Sequence, residues 1–209
     1  MTETLINPNQ IAGATKILNV VENGSLTRNG AVYSGFSSSN YLQLGNIVDN
    51  GYISLSNNVK DFGAMTESAD SWEMVFKFKH ISSEVGVLFA CDVSEGSQIV
   101  ISSSVELDLS NSSGNWSIGS ATGTTTLEIG TTYWLKIEFT GDAYVLSLST
   151  DGINYTIEIT ISSSTKLTNR GDYVIGKNNG GYPLKDDLFI EGCSIKADSE
   201  YWWKGVENL

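Results

Sequence analysis

Apolar and polar residues alternate most regularly in the second half of the chain. Three runs there have an apolar residue at every second position: residues 133–139, Ala143–Ser149 and residues 155–161. A period of two is typical of a β-strand with one buried face. Asp151 and Gly152, between the second and third runs, predict a two-residue turn because Gly tolerates a positive φ. The three runs therefore predict a three-stranded antiparallel meander.

The alternation continues outside this meander. Trp72–Lys79 places its large apolar residues on one face: Trp72, Met74, Phe76 and Phe78. Further short apolar runs, separated by Ser, Gly and Asn, occur at residues 86–93, Gln98–Ile101, Val105–Leu109, 116–118, 173–176 and 188–195. Short strands at regular spacing predict an all-β sandwich or barrel. Between them, we predict a loop at residues 61–70.

Residues 1–30 differ from the rest of the chain, since they are mostly polar with a helix-compatible patch at residues 11–21. We predict an N-terminal arm or anchoring segment at 1–30 and one domain at 31–209. A chain of 209 residues, 40% of them hydrophobic, can bury one sizeable core.

The net charge of −12 limits the possible partners. Nucleic acids and anionic membranes bind clustered Lys and Arg, and the sequence has no such cluster, so we predict neither partner. No apolar run approaches the ~20 residues that cross a bilayer. The N-terminus also lacks the basic and apolar regions of a signal peptide, so we expect synthesis in a cytoplasm, where the protein stays or which it leaves by another route such as cell lysis.

These runs resemble the concanavalin A-like jelly roll of laminin G-like and legume-lectin-like domains. The resemblance rests on the 133–139 strand with its following hairpin, on Trp72–Lys79, on residues 31–45 (AVYSGFSSSNYLQLG) and on residues 173–176 (YVIG). The late strand LFIEGCSI, at residues 188–195, departs from the family pattern by one residue. The resemblance implies a concanavalin A-like jelly-roll sandwich of two antiparallel sheets.

In overall style the chain also resembles laminin G-like proteins of tailed bacteriophages. That resemblance implies a virion protein of a tail, fibre or capsid, which contacts cell-surface glycans. It further implies that the N-terminal arm binds other virion subunits. Isolated sandwiches of this size can be monomers, whereas fibre-borne ones are often homo-oligomers, and the sequence leaves both open. A purely structural virion protein without a ligand is the alternative.

Catalytic residues are not indicated by the sequence. Glu106, Asp108 and Ser110 share one strand face, and some glycoside hydrolases of this jelly roll place Glu, Asp and Glu in this way. Because Ser110 stands at the third position, we predict a solvated strand face and no enzyme, with a hydrolase as a second alternative. His80, the only histidine, is predicted at the surface, and one His with two separated Cys disfavours a zinc site.

The resemblance to this fold also implies calcium as a possible cofactor, because related sandwiches bind it through loop Asp and Asn oxygens. The conceivable ligands are Asp92, Asp151 and Asp172.

Sugar sites combine exposed aromatic rings with neighbouring polar groups. This combination predicts carbohydrate-binding residues at Tyr182, Trp116, Trp202, Asn178 and Asn179. Trp202 is followed by Trp203, so in an extended strand only one of the two rings faces inward. Cys91 and Cys193 lie in apolar runs and are predicted to be buried free thiols, with a disulfide between them as the alternative that the sequence leaves open. We therefore expect a non-enzymatic module that binds carbohydrate.

Overall fold

The computed structural model describes residues 16–18, 25–29, 42–43, 52–54, 62–91, 96–111, 116–168, 171, 173–176 and 182–204. In these residues there is one helix, α1 Phe62–Ser68. The strands are β1 Lys16–Leu18, β2 Ser25–Asn29, β3 Leu42–Gln43, β4 Tyr52–Ser54, β5 Trp72–Lys79, β6 Gly86–Cys91, β7 Gln98–Ile101, β8 Val105–Leu109, β9 Gly119–Thr122, β10 Thr132–Phe139, β11 Ala143–Ser149, β12 Thr156–Ser162, β13 Tyr173–Ile175, β14 Asp187–Ala197 and β15 Glu200–Lys204. Among the described residues, no helix has the length and apolar character that crossing a membrane requires.

The strands form two antiparallel sheets. The first sheet has the order β1-β2-β4-β13-β6-β7-β8-β9, and the second has the order β12-β11-β10-β5-β14-β15, with β3 also paired to β14. Alternate residues of β5 and β10 point between the sheets, and all of them are buried: Trp72, Met74, Phe76, Phe78, Tyr133, Leu135, Ile137 and Phe139. The predicted sandwich and its inward-facing residues are therefore confirmed.

The pairing of the strands gives the sandwich two distinct ends. At the lower end lie the connections at residues 80–85, 123–131, 150–155 and 182–186. At the upper end lie α1, residues 110–111 and 116–118, and the connections at residues 140–142 and 198–199.

The meander β10-β11-β12 is confirmed, but two of its details are wrong. The connection at residues 150–155 has six residues instead of a two-residue turn, although Gly152 does have a positive φ of 73°. A bulge between Leu146 and Ser147 shifts the pairing with β12. As a result Ile159 and Ile161 are buried, whereas Ile157 is exposed.

Residues 61–70 contain α1, so the loop predicted there is wrong. Phe62, Met65, Thr66 and Ala69 are all buried, and their i, i+3, i+4, i+7 spacing places them on one face of a helix. The strand predicted at 116–118 is also wrong, because β9 begins at Gly119.

The predicted arm at residues 1–30 includes two short strands. β1 pairs with β2, and β2 pairs with β4 of the first sheet. Lys16–Leu18 therefore lies in a strand within the patch that the sequence indicated as helix-compatible.

Edge strand β12 is fastened to the β9–β10 connection by one carboxylate. Both backbone N–H groups and both hydroxyls of Thr124 and Thr125 donate hydrogen bonds to Glu158, at 2.6–3.4 Å. Burial raises the pKa of Glu158, but these hydrogen bonds outweigh burial and hold the pKa below its ordinary value. The two sheets are thus joined along this side by hydrogen bonds to a charged acceptor.

Candidate functional site

The outer face of the second sheet has a row of charged residues near the upper end. Glu138 of β10 is opposite Glu73 of β5, which is opposite Lys196 of β14. Like charges opposite each other destabilise a sheet. Each carboxylate here has its own ammonium partner, since Lys196 Nζ is 3.1 Å from Glu73 Oε1 and Lys136 Nζ is 3.0 Å from Glu138 Oε2. The negative charges of Glu73 and Glu138 are therefore each balanced by a lysine, and the row presents both hydrogen-bond acceptors and hydrogen-bond donors.

A cleft of about 430 Å³ opens beside this row. The residues around it are Ser71, Trp72, Glu73, Glu138, Phe139, Thr140, Lys196 and Ser199. Its polar side chains comprise two carboxylates, one ammonium and three hydroxyls, and its volume is within the ~300–1,000 Å³ of typical ligand pockets. Such a lining can accept hydrogen bonds from, and donate them to, a small polyhydroxylated molecule.

The rim of the cleft is fixed by the turn between β14 and β15. Asp198 and Ser199 both have positive φ, 47° and 71°, which is the backbone of a tight two-residue hairpin turn. The Asp198 carboxylate accepts hydrogen bonds from the backbone N–H groups of Asp70 and Ser71, both at 3.0 Å. These bonds tie the turn to the start of β5, so both walls of the cleft are held in place.

Tyr201 lies next to this cleft. Lys196 Nζ is 4.9 Å from the centroid of its ring, and the side chain is 40% exposed. Burial lowers the pKa of Lys196, but the hydrogen bonds and charges of Glu73 and Tyr201 outweigh burial and raise it. Lys196 therefore stays an ammonium donor at neutral pH, beside an aromatic ring that a ligand can reach.

Three other described aromatic residues near this outer face also contact lysine side chains. Lys77 Nζ lies between the rings of Trp134 and Phe189, at 5.1 and 5.0 Å from their centroids. Lys136 Nζ lies 5.0 Å from the ring centroid of Tyr155. These cation–π contacts hold neighbouring strands and the 150–155 connection together.

Gly152 packs against the indole of Trp134. A Cβ at this position would lie 3.0–3.2 Å from three indole atoms, and the φ of +73° is itself strained for other residues. We expect Gly152→Ala to lower the free energy of unfolding by about 1–3 kcal/mol. Urea unfolding would measure the change.

Gly130→Ala is the matched control for Gly152→Ala. Gly130 also has a positive φ, 91°, but a Cβ there would meet nothing within 4 Å. Backbone strain is common to both variants, so the excess loss in Gly152→Ala measures the clash with Trp134. Equal losses would show that the indole moves aside freely.

The three aromatic residues predicted to bind sugar do not come together. Tyr182 is exposed at the lower end, next to the 183–185 segment that packs on Gly86. Trp116 is at the upper end, close to the hydrogen bond between Ile118 N and Leu109 O. Asn178 and Asn179 lie outside the described residues.

Trp202 is a core residue. It is only 6% exposed, and its ring centroid is 5.8 Å from that of Phe62. Its role as a stacking platform is therefore ruled out by burial, because a sugar cannot reach the ring. Trp202 therefore points into the core.

The conceivable calcium ligands are described only in part. Asp92 and Asp172 lie outside the described residues. Asp151 accepts hydrogen bonds from Ser149, from the backbone of Ile153 and from the backbone and side chain of Asn154, which hold its pKa below the ordinary range. Within the described part of the chain, no three His, Cys, Asp or Glu side chains group as a metal site. Calcium stays a prediction.

The prediction that Glu106, Asp108 and Ser110 form a solvated strand face is wrong for Asp108 and Ser110. Asp108 and Ser110 are each 2% exposed. Gln98 and Ser120 donate hydrogen bonds to the Asp108 carboxylate, at 2.9 and 2.7 Å, from the two flanking strands. Burial, followed by the charge of Asp108, raises the pKa of Glu106. The two flanking strands thus cover the Asp108 side chain, although the alternation within its own strand predicted that it is exposed to solvent.

His80 is buried, so its predicted surface position is wrong. Its Nδ1 is 3.2 Å from Asp186, which also accepts hydrogen bonds from the backbone N–H groups of Ile81 and Ser82, at 2.9 and 3.4 Å. His80 follows Phe78 at the strand period of two and therefore points inward. Among the described residues, Nε2 of His80 has no hydrogen-bond partner. Cys91 and Cys193 are both buried, as predicted.

No protein-family model and no curated protein matches this chain. Solved structures do match. Domain 4 of AbnA, a GH43 extracellular arabinanase from Geobacillus stearothermophilus, in complex with arabinotriose, has a TM-score of 0.53 and 12% identity, over 88% of this chain and 84% of that one. The LG1-3 region of the laminin alpha2 chain has a TM-score of 0.51 and 15% identity, over 72% of this chain and 30% of that one.

Mouse laminin alpha1 domains LG4-5 match 60% of this chain at 14% identity, with a TM-score of 0.44. This chain covers 35% of that structure, about a third of its length. At these identities the matches show the fold alone. Together with the two antiparallel sheets, they show that the chain has a concanavalin A-like jelly-roll fold.

Proposed function

We propose that this chain is a carbohydrate-binding module that catalyses no reaction and binds its sugar in the cleft beside Glu73, Glu138 and Lys196. The observation behind the proposal is the lining of that cleft, where carboxylate, ammonium and hydroxyl groups surround one space next to Tyr201. Sugars are recognised by polar groups that meet their hydroxyls and by an aromatic ring that packs on their C–H face.

The charges favour a neutral sugar. Glu73 and Glu138 would repel the carboxylate of a uronic acid, whereas they accept hydrogen bonds from neutral hydroxyls. The arabinanase domain with the same fold was solved with arabinotriose, a neutral oligosaccharide, and it matches most of both chains. Arabino-oligosaccharides are therefore the first ligands to test.

A glycoside hydrolase is the second candidate, favoured by the raised pKa of Glu106 beside Asp108. A general acid needs such a raised pKa, and a retaining hydrolase needs a second carboxyl nearby. Asp108, however, is buried and accepts hydrogen bonds from Gln98 and Ser120, which makes it a poor nucleophile. Release of reducing ends from arabinan, β-glucan or galactan by the purified protein, and its loss in Glu106→Gln, would establish hydrolysis.

The role in a bacteriophage virion stays a prediction from the sequence, as does the structural alternative. The comparisons support neither of them. The virion partners predicted for residues 1–30 rest on the same resemblance to bacteriophage proteins. A module that binds glycans is compatible with a cell-surface contact, but the cleft itself gives no information about the particle or cell that presents it.

Calorimetric titration with arabinotriose, preceded by a glycan array, tests the cleft. We expect Tyr201→Ala to weaken binding about tenfold, since an aromatic contact contributes about 0.5–1.5 kcal/mol beyond the area it buries. Glu138→Gln should weaken binding as well, because it replaces a charged acceptor by a neutral one.

Tyr182→Ala is the matched control, since Tyr182 is also an exposed tyrosine but lies at the opposite end of the sandwich. It should bind like the unmodified protein. Loss of binding in Tyr182→Ala with normal binding in Tyr201→Ala would place the site at the lower end and contradict the cleft. Absence of binding across the array would contradict the carbohydrate function itself.

A further inference from the structure

The charged row beside the cleft continues on both sides to a tyrosine. We call the whole set the extended row, and its members lie across the outer face of the second sheet in the order Tyr155, Lys136, Glu138, Glu73, Lys196 and Tyr201. Lys136 Nζ is 5.0 Å from the ring centroid of Tyr155 and 3.0 Å from Glu138 Oε2. At the other side, Lys196 Nζ is 4.9 Å from the ring centroid of Tyr201 and 3.1 Å from Glu73 Oε1. The two halves of the extended row therefore have the same composition.

Tyr155 reaches the extended row from the connection that precedes β12. Its side chain is partly exposed. Burial raises the pKa of the Tyr155 hydroxyl, and the charges of Glu73, Asp151 and Glu138 raise it further. The hydroxyl therefore stays protonated at neutral pH, within electrostatic reach of both carboxylates of the cleft. Because the sheet order runs from β12 through β10 and β5 to β15, Tyr155 and Tyr201 are on opposite sides of the cleft.

The extended row is longer than one sugar ring. Tyr201 of β15 is opposite Lys196 of β14, and Glu138 of β10 lies two strands further along the sheet. At about 4.8 Å per strand, the backbones of Tyr201 and Glu138 are roughly 15 Å apart, and Tyr155 lies beyond Glu138. A single sugar ring is about as long as one step between strands, so it can stack on one tyrosine but not on both.

The polar groups between the two tyrosines match the hydroxyls of a neutral glycan. Two lysines and two glutamates balance in charge, so the extended row favours neither an anionic nor a cationic ligand. An ammonium has three N–H donors and a carboxylate has about four acceptor sites, so one ion pair does not use the hydrogen-bonding capacity of either group. Several sugar hydroxyls can therefore be bound along the row.

We propose that this site binds a linear, neutral oligosaccharide of about three or more residues, which lies across the strands so that Tyr201 and Tyr155 stack on two different sugar rings. The inference rests on the proposed function and adds to it the length of the ligand and a second aromatic platform. Affinity should consequently increase with the number of sugar residues until the glycan contacts both tyrosines.

Calorimetric titration of the full chain with glycans of increasing length tests the proposal. L-Arabinose, arabinobiose, arabinotriose and arabinotetraose are the first series, and a different glycan selected on the array would be titrated as the same series of lengths. We expect the tetrasaccharide to bind at least about tenfold more tightly than the disaccharide, because only the longer glycan reaches the second ring. This comparison uses the unmodified protein, so it does not depend on the folding of any variant.

Tyr155→Ala tests the second ring directly. It should weaken tetrasaccharide binding about tenfold and leave disaccharide binding unchanged, whereas Tyr201→Ala should weaken the binding of both. Tyr155→Phe retains the ring and should bind the tetrasaccharide within about threefold of the unmodified protein. Tyr182→Ala, at the lower end, is the matched control and should bind every glycan normally. Circular dichroism shows whether each variant is folded.

Three results would overturn the extended site while leaving the carbohydrate-binding cleft intact. One is a monosaccharide or disaccharide that binds as tightly as the tetrasaccharide. The second is a folded Tyr155→Ala variant with unchanged affinity for the tetrasaccharide. The third is an equal loss for disaccharide and tetrasaccharide in that variant, since Tyr155 would then support the cleft without contacting a distant sugar ring. Absence of binding across the array would instead contradict the proposed function, and this inference with it.

Discussion

Phe62→Ala is expected to lower the free energy of unfolding by about 3–5 kcal/mol, the usual cost of removing a fully buried phenyl ring. Phe62 is the first residue of α1 and is completely buried. Its ring contacts four other aromatic rings, at centroid distances of 4.8–6.3 Å: Trp72, Phe89, Tyr173 and Trp202. Phe89 and Tyr173 belong to the first sheet, whereas Trp72 and Trp202 belong to the second. Phe62 thus fills the space where both sheets and the helix meet.

Two controls separate this effect from a loss of helix. Glu67→Ala, at an exposed position of the same helix, should change stability by less than about 0.5 kcal/mol. Phe62→Leu keeps an apolar side chain and should retain a large part of the stability. Urea unfolding followed by tryptophan fluorescence gives all three values. A loss below about 1 kcal/mol in Phe62→Ala would mean that α1 contributes little to joining the sheets.

The strands of the meander and β5 could be predicted because their period of two records burial directly. Every second residue of β5 and β10 is buried, and no bulge interrupts the pairing of these two strands with each other. The pattern could not reveal the bulge between Leu146 and Ser147, because a bulge depends on pairing with a partner strand. The exposure of Ile157 therefore could not be predicted from the sequence of β12 alone.

The helix α1 had a signal that the sequence analysis missed. Phe62, Met65, Thr66 and Ala69 repeat at helical spacing, but two of the four are small or polar residues and the segment is only seven residues long. Short segments give weak periodicity, so the polar residues at 61–70 favoured a loop.

The candidate site shows a different limit of the sequence. The outward positions of Glu73 and Glu138 follow from the strand period, but their position opposite each other and beside Lys196 depends on the order in which distant strands pair. Aromatic residues in polar loops, such as Tyr182 and Trp116, can be identified from the sequence alone. Those loops are at opposite ends of the sandwich, which only the topology could show.

Asp186→Ala is expected to cost about 3–5 kcal/mol at neutral pH, the range for removing one member of a buried charged or hydrogen-bonded pair. The change leaves three polar groups without their acceptor: His80 Nδ1 and the backbone N–H groups of Ile81 and Ser82. His80 is entirely buried, so water does not replace the lost oxygen at its ring. Chemical unfolding at pH 7 measures the loss, and a value below about 1 kcal/mol would show that this end rearranges to admit water.

Asp186→Asn separates the acceptor from the charge, because the amide oxygen can still accept the hydrogen bonds of Ile81 and Ser82. Burial raises the pKa of Asp186 above its ordinary value of 3.8, although the bonds from Ile81, His80 and Ser82 act in the opposite direction. The folded protein therefore holds this proton more tightly than the unfolded chain. The resulting contribution to stability is complete below about pH 3.8 and is lost as pH rises through the folded pKa. Asn cannot titrate, so the stability of the unmodified protein relative to Asp186→Asn should be greatest in acid and should decline toward neutral pH. If the relative stability instead increases with pH, the charge of Asp186 stabilises the fold through His80 more than burial penalises it.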